Sequence, residues 1–224
     1  MKETPILFSA PMVQRLVNRD NPKTQTRRII KDTGLYAIDE KIHGVEISSR
    51  NRIALAAHCP YGQPGDRLIV KEATWQWCKK VPNGTTKTGR KKYSYRLHGG
   101  VDTGSVIYCA DHPQKPVKEP HTEPEMVWKY KSGRYMQRHL VRIILEITAT
   151  GVQRLQEISE EDAEAEGAMG WWNSLTRIQQ EEIYSGGRGP VGAFLDLWDS
   201  INGSTHPWAN NDWVFALSFK RVKA

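Results

Sequence analysis

The closing stretch "DWVFALSFKRV", residues 212 to 222, alternates strictly: Trp213, Phe215, Leu217 and Phe219 are apolar and aligned at every second position. A period of two puts all four on one face of a β-strand. "HLVRIILEITATGV" repeats the signal with Val141, Ile143, Leu145 and Ile147. A chain with two such strands must build a sheet with a buried face. "YGQPGDRLIVKEATW" adds a Pro-Gly-Asp turn feeding a strand over 67–71, and "RRII" ends an extended segment after the Asn21-Pro22 turn. Strands are therefore expected at 24–30, 67–71, 140–149 and 213–221, in one barrel-like sheet.

Helical signals flank these strands. In "SAPMVQRLVNRD" Ser9 can cap, Pro11 suits the first turn, and Met12, Val13, Leu16 and Val17 share a face. "ISEEDAEAEGAMG" offers Ser159 as N-cap, acids at 160 to 162 where the helix dipole favours them, and Gly167 as a stop. In "GPVGAFLDLWDSING" Phe194, Leu197, Trp198 and Ile201 should face inward. Strands outnumber helices, so the expected class is α+β: a small mixed barrel with helices on its rim. With 224 residues this fits one domain over 1–224, carrying an insertion at about 76–131.

The insertion is where charge concentrates. Seven basic residues and no acidic one lie between Lys79 and Arg96, with Tyr93 and Tyr95 among them, and Pro113, Pro116, Pro120 and Pro124 follow. It reads as part basic hairpin, part Pro-rich loop. The whole chain carries a formal charge of +7 and a pI near 9.3. That favours an anionic partner, nucleic acid ahead of a membrane surface, with a solvated basic surface as the equal alternative. "SGRYMQRH" continues the theme with Arg134, Tyr135 and Arg138.

Cys59, Cys78 and Cys109 are odd in number and form no CxxC pair, which argues for a reducing compartment. "MKETPILFSAPM" lacks the apolar core of a signal peptide, and no run approaches the roughly 20 apolar residues of a membrane span. The expectation is a soluble cytoplasmic protein without membrane contact. His98, Cys109, His112 and His121 could be assembled into a zinc site, but the spacing is irregular and scattered residues are the better reading. No metal and no cofactor is expected. A glycine-rich phosphate loop, G-x-S-x-G and HExxH are all missing from the sequence.

One segment carries chemistry. "NPKTQTRRIIK" mixes Lys23, Arg27 and Arg28 with Thr24 and Thr26. A threonine hydroxyl attacks an acyl group only if a base takes its proton. A lysine serves as that base only if burial and neighbouring positive charge pull its pKa far below about 10.4. Arg27 and Arg28 supply the charge. A carboxylic acid would then protonate the departing amine. Glu166, just before Gly167, is one candidate, and Glu72 is its rival. For an isolated K-x-x-T, a basic turn with hydroxyls capping local backbone is the commoner situation.

Taken together, "PILFSAPMV", "KTQTRR", "PGDRLIVKEATW", "ISEEDAEAEG", "FLDLWDSING" and "WVFALSFKRV" resemble the ASCH domain, a relative of the RNA-binding PUA fold, in its bacteriophage and prophage branch. The resemblance covers residues 4 to 75 and 132 to 222 and leaves the insertion outside. It implies a small PUA-like β-barrel with a cleft for RNA or a nucleoside, in the cytoplasm of a bacterial host. It implies an amidohydrolase that removes the acetyl group from N4-acetylcytidine, in which a lysine, a threonine three residues later and a glutamate at a helix end form the site. Those positions match Lys23, Thr26 and Glu166. Arg27, Arg28, Trp75, Lys91, Lys92, Arg134 and Tyr135 are then the expected substrate- or nucleic-acid-binding groups. Other family members are ribonucleases or RNA-binding regulators, so two alternatives stand beside the enzyme: a non-catalytic RNA-binding module and a metal-dependent ribonuclease. The oligomeric state is left open.

Overall fold

The computed structural model describes residues 1–18, 22–30, 49–99, 104–118, 123–183 and 189–222. Asn21, Pro120 and His121, invoked above, lie outside them. In chain order the elements are β1 (Glu3–Leu7), α1 (Ala10–Val17), β2 (Gln25–Ile29), α2 (Ser49–Ala57), β3 (Arg67–Lys71), β4 (Thr74–Thr85), β5 (Lys91–Leu97), β6 (Val106–Tyr108), β7 (Met126–Lys131), β8 (Ile144–Arg154), α3 (Glu160–Ala165), α4 (Ala168–Trp172), α5 (Arg177–Ile183), α6 (Pro190–Asn202) and β9 (Trp213–Val222). The class is mixed α+β. The chain divides into two compact units. One comprises Met1–Ile6, Arg15–Ile69 and Ile143–Ala224; the other comprises Leu7–Gln14 and Val70–Arg142.

The first unit is built on a five-stranded sheet in the order β1-β3-β8-β9-β2. The four strands expected from sequence are all in it. The path is open, with β1 and β2 at its ends, and no closed barrel forms among the described residues. β8 and β9 are its antiparallel spine, running from Ile144↔Val222 to Arg154↔Trp213 with an irregularity between Ile147 and Ala149. β2 joins β9 through Thr26↔Leu217 and Arg28↔Phe215. Alternation then decides what each face holds. Ile30, Val152, Trp213, Phe215 and Leu217 form a buried cluster with Leu55 and Cys59, Leu55 standing on α2. Val214, between them in sequence, is also fully buried, so β9 is covered on both faces. The guanidiniums of Arg154 and Arg52 stand 4.4 Å and 4.7 Å from the Trp213 ring centroid. α3, α4 and α6 pack on one another.

Two expectations need correction. The strand foreseen at 140–149 starts at Ile144 and runs on to Arg154; Arg138–Leu140 is instead a 3-10 turn closed by the Val141 N–H on the Arg138 carbonyl. The alternating residues Val141 and Ile143 thus lead into the strand rather than belong to it. Ile201, expected to face inward with Phe194, Leu197 and Trp198, is 55% exposed. It stands on the same stripe but in the last turn of α6.

In the second unit β4 is central. It pairs with β5, β6 and β7, all antiparallel. The basic stretch forms the β4–β5 hairpin, with a register shift between Pro82 and Thr85. Val106, Tyr108, Met136 and Leu140 make a small core. Glu72 is buried and held by Arg142 at 2.8 and 2.9 Å; Arg142 also reaches Asp111 and stacks on Tyr108 at 3.8 Å. Among the described residues no helix is long and apolar enough to cross a membrane.

Candidate active site

The segment ahead of β2 is held by backbone on three sides. Lys23 donates its N–H to Arg15 at 2.9 Å, Thr24 donates to Ala165 at 2.8 Å, and the Phe219 N–H donates to the Thr24 carbonyl at 2.8 Å. These bonds tie the end of α1, the end of α3 and β9 to one short stretch. They carry the Lys23 side chain to the last residue of the α3 turn, Glu166.

α3 ends there for local reasons. Ser159 caps its start by accepting from the Asp162 N–H at 3.1 Å. Gly167 takes a left-handed conformation, φ +80°, that an L side chain resists. A Cβ at Gly167 would stand 3.3 Å from the Arg15 Cβ and 3.5 Å from the Lys23 Cβ. The glycine therefore stops the helix and leaves room for the Arg15 side chain, while Lys23 stands at ordinary contact distance.

The Lys23 ammonium donates to the Glu166 carboxylate Oε2 and, at 2.7 Å, to the Glu166 carbonyl. The other carboxylate oxygen accepts from Arg27 Nη1 at 3.1 Å. Arg27 also donates to Asp162 at 2.8 Å and to Gln25 at 3.3 Å. Gln25 in turn donates to Asp162 at 2.7 Å. With its amide oriented to satisfy both ends, Gln153 accepts from Arg27 Nε and Nη2 at 3.2 and 3.0 Å. The guanidinium lies 5.7 Å from the Phe194 ring centroid. Lys23, Arg27 and Glu166 are all 5% exposed or less. The donors of Arg27 are thus turned to protein acceptors, and its chemical effect is to orient Glu166.

Thr26 and Arg28 occupy the other face of β2. Cross-strand pairing sets Thr26 beside Leu217 and Arg28 beside Phe215. Thr26 is buried, 5% exposed. Arg28 lies within electrostatic reach of Glu166 and Tyr61. Lys23 senses both arginines. Burial pulls its pKa below the ordinary lysine value; Glu166 opposes that shift, while Arg28 and Arg27 add to it. The pair thus stands at the mouth of β2, gripped by Arg27 on one face and influenced by Arg28 on the other.

The remaining expected residues belong to the second unit. Trp75 is half-buried on β4. Lys91 and Lys92 are exposed on β5, and Arg134 and Tyr135 are exposed in the 3-10 turn Gly133–Tyr135. Glu72, the rival carboxylate, is taken by Arg142. Among the described residues no group of three His, Cys, Asp or Glu side chains could hold a metal ion. Asp162, Gln25 and Gln153 were not foreseen as site residues. Asp162 and Glu166 are four apart on one helix and Gln25 and Arg27 two apart on one strand, so both pairs share a face by period alone. No family model matches the chain, and neither a curated protein nor a solved structure matches it.

Proposed function

We propose that the chain is an ASCH-type amidohydrolase that removes the acetyl group from N4-acetylcytidine-type nucleosides, on a PUA-like barrel whose wall is the five-stranded sheet. The observation that carries this reading is the buried contact between Lys23 and Glu166, 143 positions apart. A base with a lowered pKa touching a carboxyl group is the equipment that acyl transfer from an amide needs.

The mechanism needs one proton to pass between Lys23 and Glu166, which their contact allows. With the proton on Glu166, the Lys23 amine is free to act as base. The Thr26 hydroxyl attacks the acetyl carbonyl and gives its proton to Lys23. The C–N bond breaks, the electron pair goes to N4, and Glu166 protonates it. Cytidine leaves, and Thr26 carries the acetyl group as an ester. The pair is now ammonium and carboxylate. Water then attacks the ester, Glu166 takes its proton, and Lys23 returns a proton to the Thr26 oxygen. Acetic acid is released and the first state is restored. Arg27 holds Glu166 in place throughout, and Arg28 presents positive charge near the reacting groups.

The test is acetate release from N4-acetylcytidine and from acetylated RNA. Thr26→Ala should abolish it. Lys23→Arg should be inactive, because a guanidinium cannot act as base at neutral pH. Glu166→Gln should slow turnover by about 100- to 10,000-fold. Wild-type protein that binds the nucleoside but never frees acetate would reduce the site to a non-catalytic binding pocket.

A further inference from the structure

We propose that one face of the β4–β7 sheet in the second unit binds single-stranded nucleic acid, stacking bases on a ladder of aromatic side chains. This goes beyond the deacetylation and does not depend on it.

The two faces of this sheet differ. Thr74, Gln76 and Cys78 on β4, with Val106 and Tyr108 on β6, are buried and make the inner face. The alternate positions hold Trp75 and Trp77, paired in register with Tyr130 and Trp128. Trp75 and Tyr130 meet at 5.5 Å and Trp77 and Trp128 at 5.1 Å. A solvated face of an antiparallel sheet ordinarily carries polar residues. Here none of the four aromatics is buried, and Tyr130 is 51% exposed. A contiguous apolar patch of this kind marks a binding surface.

Charge identifies the occupant. The four strands of this sheet contain no Asp or Glu; Lys80, Lys129 and Lys131 fall on the face of Gln76 and Cys78, and the aromatic face has cations of its own. Lys79 and Arg96 pair across β4 and β5 on the aromatic face and are exposed, Lys79 two residues beyond Trp77. Aromatic rings beside a cationic track are what unpaired bases on a phosphate backbone require, since every base has a face to stack and every phosphate a charge. An acidic protein would use the cations and leave the ladder idle. A duplex would hide its bases from it. At the other end of the ladder Ile107, paired with Trp75, lines a pocket of about 360 Å³ with His112, Gln114 and Lys115. That volume is at the lower end of small-ligand sites and leaves room beside the ladder for a base to turn inward.

The experiment uses full-length protein and unmodified, dye-labelled oligouridine and oligodeoxythymidine of about 12 nucleotides, within the usual site size for such surfaces. Both lack an acetyl group, so their binding is read independently of deacetylation. Anisotropy titrations should show both single strands binding, a duplex of the same length binding more weakly, and polyglutamate failing to displace them. Tyr130→Ala should weaken binding by about five- to 150-fold, the loss of one stacked base. Lys79→Gln with Arg96→Gln should lower the slope of log affinity against log salt by about 1.4. Tyr130 is half-exposed, so its variant should keep the wild-type circular dichroism and leave the binding loss interpretable. Equal affinity for single strand and duplex, unchanged by Tyr130→Ala, would overturn the proposal. So would displacement by polyglutamate, which would make the sheet a site for acidic protein.

Discussion

Lys23 titrates under two opposed influences, and their balance can be read in two ways. Its folded pKa is lowered from 10.5, first by burial. Between the folded value and 10.5 the unfolded chain therefore binds more protons, so the Lys23 contribution to stability rises with pH through that window and is complete above it. Urea unfolding of wild type against Lys23→Met should show the difference moving in favour of wild type as pH rises toward 10.5. A flat difference would put the lysine at its ordinary value. In kinetics, the rate of deacetylation should climb along a limb that lies below the usual lysine range. Arg27→Ala should cost about 3–5 kcal/mol in the same unfolding measurement, since it strips a buried partner from Glu166; a loss below 1 kcal/mol would mean that Lys23 alone satisfies the carboxylate. The meeting of Lys23 with Glu166 was suggested by the family resemblance and not by "KTQTRR" or "AEAEG" alone, since an isolated K-x-x-T is more often a basic turn and the two residues are 143 positions apart. Which arginine points at Glu166 was not legible, since that depends on strand phase. Arg27 and Arg28 differ by one position and therefore by a whole face.

At the scale of elements, the alternation in β9 and the capped acidic start of α3 led directly to the observed structure. Both signals are local: side-chain period and backbone capping act within a few residues. The basic stretch forms the expected hairpin of β4 with β5, but β6 and β7 were not foreseen, because they are short and carry few apolar positions. Their pairing is long-range, and sequence spacing does not report it. The Gly167 stop ties an element to the site. Gly167→Ala should cost about 1–2 kcal/mol for the left-handed backbone and press on the Arg15 side chain besides. Thermal melting should show the loss, and the pH limb of activity should shift with it. A variant with wild-type melting and an unmoved limb would mean that the α3 end does not position the pair.

For the molecule as a whole, the formal charge of +7 is unevenly placed, with the acid-free β4–β5 hairpin holding a large share. Lys91→Gln with Lys92→Gln should therefore weaken binding to single-stranded RNA and flatten its salt dependence by about 1.4 in slope. Unchanged slope in a salt titration would show that the hairpin tip takes no part. The connection between the units has its own consequence. β3 and β8 pair through Ile69↔Ile144, directly astride the point where the chain leaves for Val70–Arg142 and returns. Paired residues in such a ladder sit about 5 Å apart, which is the span of a tight turn. The sheet thus closes this excursion as it would a hairpin loop. Loop-closure entropy grows only with the logarithm of length, each doubling adding about 0.6 kcal/mol. The segment Val70–Arg142 could therefore lengthen at this junction at little entropic cost while the pairing of β3 with β8 stayed as it is; insertions there leave the register of the sheet that carries Lys23 untouched.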